Sequence, residues 1–370
     1  MSRRPVRRGA GLSPARRWVV VAASALATLA LVFVLAGAWA LWSYNGPGPK
    51  ARSGEVTTVV LRKGAGLQEI ASTLDKAGVI GSRSLFLTAA QATGAARELK
   101  AGEYEFKSRA SLAKVLDDVR NGRVVVHQIT IPEGITAQMV ADILAASPVL
   151  TGSAPVPPEG SVLPETYQVQ RGDDRAAVLQ RMMQDHDELL ALLWARRQPD
   201  LPVQTPQEAV ILASVVEKET GIASERPRVA AVFTNRLRQG MRLESDPTVI
   251  YGVSQGRPLG RGLRASELAT LTPYNTYLVG GLPPTPIANP GRESLAAVLD
   301  PPTTEELFFV ADGTGGHVFA KTYEEHQQNV ARWRKVEAAR AAQAAGRAEA
   351  AAGKAAGAAG KAAEAAAKAQ

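Results

Sequence analysis

The chain has 370 residues, 45% of them hydrophobic, with no cysteine and a formal charge of +8. That length buries two or three small cores once terminal segments are set aside, and the lack of cysteine excludes disulfides, thiol catalysis and cysteine metal sites. The positive charge sits at the ends, in Arg3, Arg4, Arg7, Arg8, Arg16 and Arg17 and in residues 335–370, so the body between is near neutral and carries no basic footprint for nucleic acid.

Residues 18–42 contain no charge. About 25 such residues at 1.5 Å rise exceed the roughly 30 Å hydrocarbon core of a bilayer. The expected arrangement is a cytoplasmic basic tail over 1–17, one transmembrane helix over 18–42 with Trp18, Trp39 and Trp42 near its interfaces, and an extracytoplasmic body. The rival reading is a cleaved signal peptide with Ala36-Gly37-Ala38 at the cleavage site, against which stands the length of the apolar run. Both readings export the body. Gly46-Pro47-Gly48-Pro49 and the polar residues after it predict a linker over 43–55, which at 3.3 to 3.6 Å per residue spans at most about 45 Å.

Val56 to Leu61 alternates and is rich in β-branched residues, and Leu67, Ile70, Ala71 and Leu74 follow at helical spacing. The same pattern recurs 70 positions on, with Gly134, Val140, Ala141 and Leu144 in place of Gly64, Ile70, Ala71 and Leu74. Between the copies, Gly102 to Phe106 predicts a strand, and Ser111 caps a helix running to Val119. The segment 56–150 resembles a LysM-like α+β module, a fold found beside cell-wall enzymes. Whether it contacts glycan or serves as a spacer stays open at this level.

The proline-rich stretch 155–164 marks a boundary, and 151–335 is expected to form a second, mainly helical domain with loop and strand additions. The overall class is therefore α+β. Residues 336–370, almost all Ala, Gly, Lys, Glu, Arg and Gln, are expected to form a solvated, partly helical tail.

Thr205-Pro206-Gln207-Glu208 predicts a firm helix start, and the run Ala209 to Val216 leaves that helix no solvated face. Glu217, Lys218 and Glu219 close it. A carboxylate at the C-terminal end of a buried helix is disfavoured by the dipole and by desolvation, and both effects favour the protonated acid that a proton donor needs. Two residues apart, Glu217 and Glu219 project about 200° from each other, so they do not supply the flanking carboxylate pair of an ordinary glycosidase. The alternative is a pair of surface residues matched with Lys218, Arg226 or Arg228. Downstream, Met241 to Thr248 and Tyr274-Asn275-Thr276-Tyr277 are the polar, aromatic loops that line sugar sites.

At this point the sequence resembles the endolytic murein transglycosylases of the YceG or MltG type. The matching text includes Ile211 to Thr220, Ala223 to Arg226, Val232 to Leu237 and Ser245 to Gly252. It continues through Thr272 to Tyr277, Gly281 to Pro284, Asn289 to Gly291, Phe309 to Gly313 and Gly315 to His317. The resemblance implies cleavage of the MurNAc–GlcNAc bond in nascent peptidoglycan, 1,6-anhydro ends, and work beside penicillin-binding glycan polymerases. It assigns the acid/base role to Glu219. It gives Glu217, Ser224, Glu225, Asn235, Arg236, Asp246, Thr248, Tyr274, Asn275, Thr276 and Tyr277 as substrate-binding or supporting residues. The chemistry calls for no cofactor and no metal, and His317, with no partner histidine at ligand spacing, is expected to be structural. Glu165 stands where the family more often has aspartate. A noncatalytic wall-binding scaffold and a water-using hydrolase with Asp246 or Glu244 as base remain the alternatives.

Overall fold

The computed structural model describes residues 14–368; Arg3, Arg4, Arg7 and Arg8 lie outside them. The chain forms two compact units, one running to His127 and including Gln170–Gly172, the other formed by Gln128–Val169 and the chain from Asp173 onward.

The first unit begins with α1 (Pro14–Asn45), whose stretch Trp18–Asn45 is long and apolar enough to cross a membrane and has no buried residue. The helix outruns the expected span by three residues, and Tyr44 packs against the core of the module that follows. Residues 46–51 are not a free tether. The Gly48 amide donates to the Arg109 carbonyl at 3.1 Å, the Arg109 amide to the Pro49 carbonyl at 3.0 Å, and the Ala51 amide to Ser108 Oγ at 3.0 Å. A backbone able to satisfy itself against a neighbouring segment does so in preference to hanging in solvent as a linker.

Strand β1 (Val56–Leu61) pairs antiparallel with β2 (Gly102–Lys107), Val56 opposite Lys107 and Leu61 opposite Gly102. Helices α2 (Leu67–Lys76), α3 (Arg83–Ala92) and α4 (Leu112–Asn121) supply Ile70, Leu74, Phe86, Val115 and Val119 to a core shared with Val59, Leu61, Tyr104 and Phe106. Period-two alternation places those strand residues on one face. Ser82 and Ser111 cap α3 and α4 as N-cap acceptors.

In the second unit, save for His127 at the boundary, β3 (His127–Thr130) and β4 (Thr166–Val169) form a two-stranded sheet. It packs with α5 (Ala137–Ala146) and α6 (Arg175–Ala195) around Ile131, Leu144, Tyr167 and Met182. The two βα copies seen in the sequence thus contribute to separate sheets and separate cores. The first unit ends inside the expected 56–150 module, because β3 takes its partner from residues 166–169.

A larger core joins α7 (Pro206–Glu219), α8 (Arg226–Arg238), α9 (Asp246–Ser254) and α11 (Arg292–Leu299), with the closest helix packing among α7, α8 and α11, while the short α10 (Ala265–Ala269) buries no residue. Strands β5 (Phe308–Ala311) and β6 (His317–Ala320) pair antiparallel beside it. The chain ends in α12 (Tyr323–Lys368), one helix that runs through the boundary expected at 335. The architecture is α+β: helices with three small two-stranded sheets among the described residues.

Candidate active site

Helix α7 starts where its sequence says it should. The Thr205 hydroxyl accepts from the Glu208 amide at 3.1 Å, and Pro206 occupies the first turn, where no amide is needed. Ala209 to Val216 are all buried. Such a helix is fixed on every side, so the carboxylates at its end are held by a rigid element.

Those two carboxylates go opposite ways. Glu217 turns inward: its Oε2 accepts from the Gly291 amide at 2.9 Å and from Ser294 Oγ at 2.7 Å, both at the start of α11. Its Oε1 accepts from Arg226 at 3.2 Å, and Arg226 also reaches Glu133 at 2.8 Å. An anion on the orphan amides of a helix N-terminus is well placed, and here it ties α7, α8 and α11 together.

Glu219 turns to the other side, into a cleft of about 370 Å³ lined also by Arg236, Glu244, Asp246, Tyr277, Phe309 and His326. Its Oε1 accepts a short hydrogen bond from the Ser245 hydroxyl. Burial pushes the Glu219 carboxyl up to about 7, against the Ser245 bond that lowers it; Asp246 adds to the rise, and His317 and Arg236 oppose it.

The serine is itself fixed. Its amide donates to Thr276 Oγ1 at 3.0 Å, its carbonyl accepts from Thr248 Oγ1 at 2.6 Å, and the two threonine hydroxyls lie 2.8 Å apart. Across the cleft, Tyr277 donates to Asp246 at 2.8 Å, and burial pushes its phenol up so that it stays a donor. Arg236 donates to the carbonyls of Leu307, Arg242 and Leu243 at 2.7, 3.0 and 3.0 Å and pairs with Glu244 at 3.0 Å, bracing the 242–244 loop against β5.

The sequence profile of the YceG-like family matches residues 59–332, nearly three quarters of the chain. The chain belongs to the YceG-like family. Similar proteins include the endolytic murein transglycosylase of Streptococcus pneumoniae (strain ATCC BAA-255 / R6), 28% identical over 331 residues, covering 76% of this chain. The endolytic murein transglycosylase of Bacillus subtilis (strain 168) is 28% identical over 297 residues, covering 72% of this chain and 81% of that one. The chain spans 59% of the length of the pneumococcal relative. A crystal structure of a putative yceG-like protein from Listeria monocytogenes is similar at 27% identity and a TM-score of 0.47, covering 75% of this chain and 99% of that one.

Against this family background, the residues singled out in the sequence divide into three groups. Glu219, Arg236, Asp246 and Tyr277 meet in the cleft, with Thr248 and Thr276 directly behind Ser245. Glu225 stands beside them: its carboxylate accepts from the His317 amide at 2.8 Å, from His317 Nδ1 at 2.7 Å and from Thr220 Oγ1 at 3.3 Å. Burial raises the Glu225 carboxyl, but the bonds from His317 hold it below its ordinary value. At Gly316 the clamp comes close to the backbone: a Cβ there would fall 2.7 Å from Glu225 Oε1, so a side chain would have to displace that carboxylate.

The rest lie elsewhere. Asn235 donates to the carbonyls of Thr304 and Glu306, and Asn275 to those of Leu268 and Thr270, so both amides brace loops. The Tyr274 hydroxyl bonds to Thr285 at 2.8 Å, and its ring packs 5.0 Å from that of Tyr251. Ser224 is exposed in a single 3-10 turn, Ala223–Glu225, ahead of α8. The sequence reading passed over Ser245 as a site residue, although it directly precedes Asp246. It also missed His326, whose place on the last helix carries no local signal. Among the described residues no group of three or more His, Cys, Asp and Glu is arranged to hold a metal ion.

Proposed function

We propose that the chain is a membrane-anchored endolytic lytic transglycosylase that cleaves the MurNAc–GlcNAc β-1,4 bond of nascent peptidoglycan strands and so ends their elongation. The observation that carries this reading is a single glutamic acid, Glu219, raised to about 7 on a rigid helix end and opening into a cleft. Such a group is about half protonated at neutral pH and donates its proton to the glycosidic oxygen. The resulting carboxylate then takes the proton of the substrate's own C6 hydroxyl, which attacks C1 and closes the 1,6-anhydro ring. The nucleophile belongs to the substrate, so neither a second carboxylate nor a cofactor is required. Relatives named endolytic murein transglycosylase at 28% identity support the same chemistry.

In this reading α1 spans the cytoplasmic membrane once, with the arginines before residue 18 inside and the body outside. The small α+β module after it is LysM-like, Tyr277 and Arg236 bind sugar in the cleft, and penicillin-binding glycan polymerases supply the nascent strand.

Digestion of peptidoglycan by residues 43–370, followed by mass spectrometry, tests the proposal. Fragments ending in 1,6-anhydro-N-acetylmuramic acid, released by wild type and not by Glu219→Gln, are the expected result. Because Asp246 lines the same cleft, a water-using hydrolase is the specific rival, and reducing ends would establish it instead. Binding without cutting by both proteins would leave a noncatalytic wall scaffold.

A further inference from the structure

Where α1 meets the module of the first unit, a second cavity of about 430 Å³ opens, within the size range of small-molecule sites. Its walls include Trp39 and Trp42 from the helix, Pro47 and Pro49 from the segment after it, and Ile80 and Leu85 from the module. Trp39 and Trp42 are 63% and 67% exposed, at the end of an apolar run whose tryptophans belong at the headgroup level of a bilayer. The cavity is a built feature, since the Gly46 amide caps α1 on the Trp42 carbonyl at 2.6 Å and residues 48–51 are bonded to 108–109.

Charge around it is one-sided. No lining residue is charged, and within two positions of one in sequence stand Lys50, Arg83, Arg109 and Lys114, all exposed, with no aspartate or glutamate. Lys114 is taken by Asp118, whereas Arg83 donates to the neutral Gln68 Oε1 at 3.0 Å, which leaves its charge unmatched. The acidic residues of the unit stand at least four positions in sequence from any lining residue, Asp75 being the nearest.

We propose that this cavity is a lipid site, in which an acyl chain of an anionic phospholipid lies against Trp42 and Leu85 and its phosphate is held by Lys50 and Arg83. An apolar wall continuous with a lipid-facing helix, rimmed by basic groups, matches that chemistry, whereas a sugar would need a lining of hydrogen-bond partners. The inference rests on the membrane anchoring proposed above. Its consequence is that the module is seated on the bilayer surface, in place of swinging from it.

The full chain in nanodiscs of phosphatidylcholine, with and without phosphatidylglycerol, provides the test, with retained lipid read by native mass spectrometry. Wild type is expected to keep phosphatidylglycerol in preference to phosphatidylcholine. Each basic residue near an anionic surface contributes about fivefold in affinity, so Lys50→Gln with Arg83→Gln should weaken that retention about thirtyfold. Gly81→Phe fills the cavity; its Cβ meets only Pro49 Cγ, at an ordinary 3.7 Å, and both lipids should be lost. Equal retention of the two lipids, or retention unchanged in both variants, overturns the proposal. Alkaline carbonate washing of native membranes separates the failures: release of wild type removes the anchoring and the lipid site together. A protein that stays in the membrane yet keeps no phospholipid removes only the lipid site.

Discussion

Replacing Glu219 with glutamine should stabilise the second unit, and only at high pH. In the folded protein this carboxyl titrates at about 7, against an ordinary value of 4.5. Below pH 4.5 the group is protonated whether the chain is folded or not, and its burial has no ionisation cost. Between 4.5 and 7 the unfolded chain ionises first, so stability falls as pH rises. Above 7 the penalty is complete. At about 1.4 kcal/mol for each tenfold difference in proton affinity, it amounts to about 3 kcal/mol. Glutamine has the same size and accepts the Ser245 hydroxyl, yet carries no such penalty.

Urea denaturation of residues 43–370 followed by tryptophan fluorescence measures this directly. Trp18, Trp39 and Trp42 all precede residue 43, so the signal comes from Trp194 and Trp333, both in the second unit, with Trp194 packed on its main core. The expected gain for Glu219→Gln is about 3 kcal/mol near pH 8.5 and close to zero near pH 4. An equal difference at both pH values would refute the account, because it would mean that the wild-type carboxyl is not raised.

Three further outcomes are expected. Ser245→Ala removes the hydrogen bond that lowers Glu219, so the alkaline limb of the pH–rate profile of peptidoglycan cutting should move to higher pH. Asp246→Asn removes a charge that raises Glu219 while keeping an acceptor for Tyr277, and the same limb should move to lower pH. Glu217→Ala strips the buried Arg226 of a partner and leaves the Gly291 amide unpaired. By urea midpoint it should destabilise the second unit by about 3 to 5 kcal/mol, a loss that distinguishes a structural anion from a group acting on substrate.

The helical frame was legible where local signals and packing agree. Thr205-Pro206 and Ser111 sit at caps, and the run of residues 209–216 is buried as its pattern requires. Residues 43–55 were read as a linker from their Gly-Pro composition, but composition does not show that Ser108 and Arg109 offer residues 48–51 hydrogen-bond partners. The repeat at 64 and 134 was real as local structure and misleading as organisation, since strand pairing is a long-range choice that a βα pattern does not encode. Asn235, Asn275 and Tyr274, read as substrate-binding or supporting residues, hold nearby carbonyls and hydroxyls, partners brought together by folding that their own sequence does not name.

The contrast between Glu217 and Glu219 shows how little separates a strut from an acid. Both end the same helix, and both face the unfavourable pole of its dipole. Helical spacing turns one toward α11, where a free amide, a serine hydroxyl and Arg226 together match its charge. The other is turned toward a cleft where, among the described residues, a serine hydroxyl is the one direct donor it receives and Asp246 stands nearby, so burial wins and the proton is held more tightly. What the sequence supplies is the angle between the two residues. What it withholds is the identity of the groups waiting at each end of that angle, and these decide which carboxylate is poised to give up a proton.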